Sequence, residues 1–187
     1  MANLAGKKIA ILATHGFEQS ELLQPQGALR DAGAETKVVA LEKGKIKGWS
    51  GKNWGEEVSV DLTVDEAKPD DFDALLLPGG VMNPDQLRTN PKAVHFARAF
   101  FDAHKPIAAI CHGPWLLVEA GIVKGLTLTS WPSLKTDIIN AGGKWVDQEV
   151  VSGQGLITSR KPTDIPAFNR AMIKAFEGGV SKTAGPK

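Results

Sequence analysis

Ile107-Ala108-Ala109-Ile110-Cys111-His112-Gly113-Pro114 is the stretch that decides how this chain folds. Four apolar residues suit a short buried strand, one cysteine follows, and Pro114 fits the first position of a helix. A strand that turns sharply through a nucleophile into a helix is a nucleophile elbow. The turn demands small neighbours, and Ala109 and Gly113 supply them two residues on either side. In an open α/β sheet this puts the thiol at the carboxyl edge of the strands, where such folds place their sites. The positive end of the following helix favours the thiolate. A lone cysteine elsewhere would be read as a buried structural thiol. The strand–Cys–His–Gly–Pro context reverses that reading.

Outward from the elbow, short apolar runs alternate with helix-period segments. Strands are expected at Ile9–Ala13, Thr36–Leu41, Ala74–Leu77 and Pro106–Ile110, and later near Thr127–Thr129, Val150–Ser152 and Leu156–Ser159. Helices are expected from Ser20 to Ala32, from an Asn90 cap with Pro91 to about His104, from Pro114 to Ala120, and from Ile165 to Phe176. Alternating β and α with uniformly apolar strands means a mainly parallel sheet covered on both faces. Lys45 to Val60 breaks the alternation and reads as a hairpin excursion. Thr63-Val64-Asp65-Glu66 reads as the capping box of a short helix.

The 187 residues suit a single domain, 1–187, with a core from about 8 to 176 and a frayed tail over 178–187. A net charge of +1 leaves no basic footprint for nucleic acid. One cysteine excludes an intramolecular disulfide and a disulfide-stapled secreted fold. The only early apolar run, Ile9–Ala13, is too short for a leader or a membrane span, so the expected location is cytoplasmic, with no membrane partner. The chain carries no Gly-x-Gly-x-x-Gly after its first strand, no phosphate-loop motif and no metal-ligand spacing. The expectation is no cofactor and no metal.

Three further features gather at strand ends. Pro78-Gly79-Gly80 lets the backbone approach a ligand, so its N–H groups suit an oxyanion. Glu18 follows the first strand, and a carboxyl beside a thiolate must hold its proton. Glu21, farther on, is read as the helix-start acid that complements the macrodipole. None of the four histidines (His15, His95, His104 and His112) follows residue 112. A glutaminase-type triad needs a downstream histidine, so that reaction is disfavoured, and His112 becomes the expected partner of Cys111. His15 stands near Glu18 as a weaker candidate for the pocket wall.

Together these residues resemble the DJ-1/PfpI superfamily, and its PfpI-like intracellular protease and stress-protein branch in particular. The similarity runs from about Lys8 to Phe176. It rests on Gly16-Phe17-Glu18, Asp71–Leu75, Pro78-Gly79-Gly80, Ile110–Pro114, Thr129-Ser130-Trp131-Pro132, Ile139–Gly142 and Thr158-Ser159-Arg160. The resemblance implies a flavodoxin-like three-layer sandwich, similar to class I glutamine amidotransferases. It implies Cys111 as nucleophile, Glu18 hydrogen-bonded to its sulfur, and an oxyanion hole from the N–H groups of Gly80 and His112. It further implies a homo-oligomer in which an acid of a neighbouring subunit orients His112. The nearest match is Asp85, one methylene shorter than the family's usual Glu and set behind a loop, Val81–Pro84, one residue longer.

The implied function is a stress-response, cysteine-dependent hydrolase acting on a small reactive aldehyde, its protein adduct, or a peptide. An aldehyde asks less of the site than a peptide, whose amine must be protonated as it leaves. The alternative is a redox sensor or protective stress protein whose Cys111 is oxidised without turnover.

Overall fold

Ile9, Ile11 and Ala13 face one side of the first strand while Ala10 and Leu12 face the other, and all five are fully buried. The same two-sided burial recurs in Ala74–Leu77 and Ile107–Ile110. A strand buried on both faces must lie inside a sheet with helices on each side. The computed structural model, which describes residues 3–178, has that form.

In chain order the elements begin with β1 (Lys8–Leu12), α1 (Gln19–Asp31), β2 (Glu35–Ala40), β3 (Lys45–Ser50), β4 (Asn53–Ser59) and β5 (Leu62–Thr63). The middle comprises β6 (Ala74–Leu77), α2 (Met82–Arg88), α3 (Pro91–Asp102), β7 (Ile107–Ile110) and α4 (Pro114–Glu119). Last come β8 (Thr127–Leu128), α5 (Lys135–Asn140), β9 (Lys144–Trp145), β10 (Val150–Gly153), β11 (Leu156–Ser159) and α6 (Ile165–Gly178).

The main sheet has seven strands in the order β10-β11-β7-β6-β1-β2-β5. Every neighbour pair is parallel except β10–β11. The α/β sandwich expected from the sequence is therefore present. On one face α1 and α6 pack through Leu22, Leu29, Phe168 and Met172 against Ile9, Ile11, Leu76 and Ile110. On the other, α3 and α4 pack Phe96, Phe100 and Leu117 against Leu12, Leu75 and Ala109. Adjacent β1, β6 and β7 all end at one edge, which gathers the segments after residues 12, 77 and 110.

The Lys45–Val60 excursion is an antiparallel hairpin of β3 and β4, with Trp49 and Trp54 packed edge to face at 5.5 Å. It grips the loop after β1: Gly16 N–H donates to Lys47 O at 2.8 Å, and Trp49 N–H to Phe17 O at 2.7 Å. The Asn90 cap forms as expected, its side chain accepting from Lys92 and Ala93 N–H groups.

Three expectations need correction. Glu66 does accept from the Thr63 N–H at 3.0 Å and hydroxyl at 3.1 Å, but a turn follows instead of a helix. Pro69 is the reason, since it drives Lys68 to extended backbone (φ −103, ψ 123). The expected loop Val81–Pro84 is helical from Met82, where α2 begins. The segment before Gly142 contains α5, which the periodicity did not disclose. Of the expected tail, Gly178 ends α6, and 179–187 lie outside the described residues.

Phe100 is fully buried and packs edge to face on Phe96 at 5.3 Å. Phe100→Ala is expected to cost about 3–5 kcal/mol through lost burial and the cavity left behind. Denaturant unfolding monitored by circular dichroism measures this, and a loss under 1 kcal/mol would show a core that closes over the gap.

Candidate active site

Cys111 stands directly after β7 with φ +62, a left-handed conformation that a non-glycine residue adopts only when its surroundings hold it there. Its N–H donates to Ser159 O at 3.0 Å, and its carbonyl accepts from Trp131 N–H at 2.9 Å. The neighbouring glycine is required by space: a Cβ on Gly113 would lie 2.6 Å from Leu77 O and 2.9 Å from Ile110 O. Backbone strain, two backbone clamps and a forced glycine together make the elbow read from the sequence.

Cys111 is buried, with the residue 6% exposed. His112 Nδ1 lies 3.2 Å from its sulfur. Burial lowers the pKa of His112, which favours the neutral imidazole at neutral pH. That ring stacks on Trp131 at 5.9 Å with 22° between planes and meets Trp115 edge to face at 5.1 Å. Its other nitrogen, Nε2, is 3.4 Å from Ser133 Oγ. The backbone N–H groups of Gly80 and His112 lie near enough to the sulfur to lower its pKa.

The carboxyl that meets Cys111 is Glu21, and the assignment of that contact to Glu18 is corrected. Glu18 is the N-cap residue of α1 (φ −63, ψ 118), and its carboxylate accepts from Ser20 Oγ at 3.1 Å. Glu21 is two residues inside the helix and fully buried, on the face it shares with Leu22, Pro25, Gln26 and Leu29. Its Oε2 accepts from Gly79 N–H at 3.0 Å, and the carboxyl adjoins the thiol: the Cβ site of Gly79 meets Oε2 and lies 2.7 Å from Cys111 Cβ. Among the described residues Oε1 is buried with no hydrogen-bond partner. Burial, then the nearby Glu18 charge, push the Glu21 pKa from 4.5 up to about 8, so it is a neutral acid at pH 7.

The expectation of a thiol pulled down by a helix start is also corrected. Burial first, and an ionised Glu21 second, push the Cys111 thiol up, against the Gly80 and His112 N–H groups that pull it down. Two negative charges cannot share this space. When Glu21 holds its proton the repulsion is replaced by a hydrogen bond to sulfur. An ionised sulfur therefore depends on a protonated Glu21.

Of the other expected residues, Asp85 is exposed on α2 and is not among the groups around His112 in this chain. His15 is exposed, and its Nδ1 accepts from the Lys47 N–H at 3.1 Å, so it serves the hairpin and not the pocket. His95 is exposed on α3, and His104 is exposed just beyond that helix. Among the described residues no cluster of three or more His, Cys, Asp or Glu is placed to hold a metal. Gly79 and Gly80 sit against the thiol: a Cβ on Gly79 would be 2.7 Å from Cys111 Cβ and would strike Glu21 Oε2.

Sequence reasoning missed Asn83, which is fully buried on α2. Its Oδ1 accepts from Thr14 N–H at 2.8 Å, and its Nδ2 donates to Pro78 O and Gly79 O, each at 3.0 Å.

A carboxyl whose pKa is raised in the folded state adds stability below its unfolded pKa, and that stability is lost as pH rises through the folded value. The folded protein is thus expected to lose stability between about pH 4.5 and about 8 on account of Glu21. Glu21→Gln should flatten that slope in urea melts taken across pH, whereas Glu18→Gln should keep it and only lower its upper end, because the Glu18 charge helps hold the proton on Glu21. An unchanged slope in Glu21→Gln would remove the buried acid from this role.

The model of the DJ-1/PfpI family matches residues 7–175. General stress protein 18 of Bacillus subtilis is 47% identical over 92% of this chain and 99% of its own. Deglycase PfpI of Pyrococcus furiosus is 45% identical over 91% of this chain and 99% of its own. The crystal structure of a two-domain protein from Anabaena variabilis, with DJ-1/ThiJ/PfpI-like and ferritin-like domains, superposes with a TM-score of 0.87 at 35% identity. That superposition covers 97% of this chain and 53% of the other. A strained cysteine elbow joined to a buried acid, with a family match over nearly the whole chain, places this protein in the DJ-1/PfpI family.

Proposed function

We propose that this chain is a stress-response cysteine hydrolase or deglycase in which Cys111 attacks the carbonyl of a small reactive aldehyde or its protein adduct. One observation carries the reading: Cys111 Sγ lies 3.2 Å from the His112 ring nitrogen, against a buried neutral acid, with two backbone N–H groups turned toward it. The names of the similar proteins, a deglycase and a general stress protein, support it.

The parts divide the work as follows. As the S–C bond forms, the thiol proton passes to His112 Nδ1 and the carbonyl π pair moves onto oxygen. That oxygen is stabilised by the Gly80 and His112 N–H groups and takes the Glu21 proton. With a 2-oxoaldehyde, the Glu21 carboxylate then removes the hemithioacetal C–H proton. His112 gives the former thiol proton to the adjoining carbon while the hydroxyl proton passes to the neighbouring oxygen, which yields a 2-hydroxy thioester and leaves Glu21 protonated and His112 neutral as at the start. Water releases the 2-hydroxy acid and restores the thiol. The net change is one hydrogen shift within the substrate plus one water, with no external oxidant. A peptide would also need its departing amine protonated and room for a polypeptide. A cysteine this buried suits the smaller electrophile.

The redox reading keeps one observation of its own. The Gly80 and His112 N–H groups and the Glu21 carboxyl could together hold the oxygens of an oxidised sulfur. We also propose a homo-oligomer, at least a dimer, in which Asp85, exposed on α2, reaches the His112 of another copy.

Methylglyoxal consumption by wild type and Cys111→Ser, with thiol titration before and after, separates the readings. The expected outcome is many turnovers per retained thiol, abolished in a Cys111→Ser protein that still folds. No turnover with stoichiometric loss of the thiol to peroxide would favour the sensor. Light scattering is expected to give a dimer or larger, and a clean monomer would remove Asp85 from any neighbour's site.

A further inference from the structure

We propose that Asn83 is the positioning residue of the oxyanion hole, fixing from behind the two peptide planes whose N–H groups face Glu21 and Cys111. A trans peptide unit is planar, and its C=O and N–H point in opposite directions. The Pro78 carbonyl shares its plane with the Gly79 N–H, which donates to Glu21 Oε2 at 3.0 Å. The Gly79 carbonyl shares its plane with the Gly80 N–H, which therefore points away from Asn83, on the side of Glu21 and Cys111, and helps to lower the pKa of both. Asn83 Nδ2 holds both carbonyls at 3.0 Å. A single amide group therefore aims both donors at the reacting pair.

The need for such a clamp follows from the sequence. Gly79 and Gly80 are adjacent, and Gly80 has φ +80, so the plane between them meets little steric resistance to flipping. Both glycines are forced by crowding: a Cβ on Gly80 would be 2.7 Å from Glu18 N. Among the described residues the only other bond on the Gly79 carbonyl comes from that Glu18 N–H, at a longer 3.3 Å. Asn83 is anchored in turn by the Thr14 N–H at the end of the first strand. It touches no substrate and acts through the backbone it holds.

This inference rests on the hydrolase reading for its kinetic readout but not for its second one. Loss of one oxyanion donor costs about 10²–10³ in kcat, so Asn83→Ala is expected to lose at least ~10-fold in kcat with a smaller change in KM. The near-isosteric Asn83→Asp keeps the acceptor for Thr14 but sets an oxygen against the two carbonyls. It should lose as much as Asn83→Ala or more, and it serves if the alanine variant does not fold. Both should also raise the midpoint of the Cys111 thiolate titration followed by ultraviolet absorbance, because the Gly80 N–H no longer faces sulfur. Thr36→Val, which removes the buried acceptor of Gln26 and Arg30 far from the thiol, controls for general loss of stability. If wild type shows no Cys111-dependent turnover, the hydrolase reading fails and the thiolate midpoint alone decides Asn83. Folded Asn83 variants with wild-type thiolate midpoints would overturn the proposal, as would full kcat in both of them or in Asn83→Asp alone.

Discussion

A buried acid against a buried thiol is the constraint on which the rest of this structure depends. Neither Glu21 nor Cys111 has water enough to carry a charge cheaply, and they are too close to carry two. One proton must therefore stay with the pair. The backbone is arranged around that requirement: Gly79 donates to the carboxyl, and Gly80 and His112 face the sulfur. The three segments come from the ends of three adjacent parallel strands, which is why a doubly covered sheet is needed to build the site at all.

Each supporting feature can be traced to that edge. The left-handed Cys111 holds the sulfur clear of its own strand, and Ser159 and Trp131 fix its backbone on both sides. Trp131 and Trp115 enclose His112, so the imidazole loses water and stays neutral, the form that can accept a proton. The β3–β4 hairpin, an insertion in the regular alternation, fastens the loop before α1 and so fixes where that helix starts. Where α1 starts determines which of its acids turns inward.

That last point explains what the sequence could and could not disclose. Cys111 was legible because a strand, a small-residue turn and a Pro-led helix form one local pattern. The sheet was legible because its strands are apolar on both faces. The inward acid was not taken from the nearest position correctly: Glu18 lies closer to β1, but it caps the helix with extended backbone and turns to Ser20. A signal for Glu21 did exist. Positions 21, 22, 25, 26 and 29 form one buried helical face, and a glutamate on such a face is either paired or neutral. Asn83 offered no local signal, because its three partners lie at residues 14, 78 and 79 and only the folded chain brings the first of them near. Helix α2, which carries Asn83, was equally hidden: Pro84 and two flanking polar residues mask the periodicity of a helix of about two turns.

The central claim is that Glu21 keeps its proton beside Cys111 at neutral pH. Infrared difference spectroscopy between wild type and Glu21→Gln tests it most directly. The account predicts a protonated-carboxyl stretch in wild type at pH 7 that is missing from the variant and fades as pH rises past about 8. A wild-type spectrum at pH 7 showing only carboxylate bands for Glu21 would contradict the account, since the sulfur would then face a charge instead of a hydrogen-bond donor.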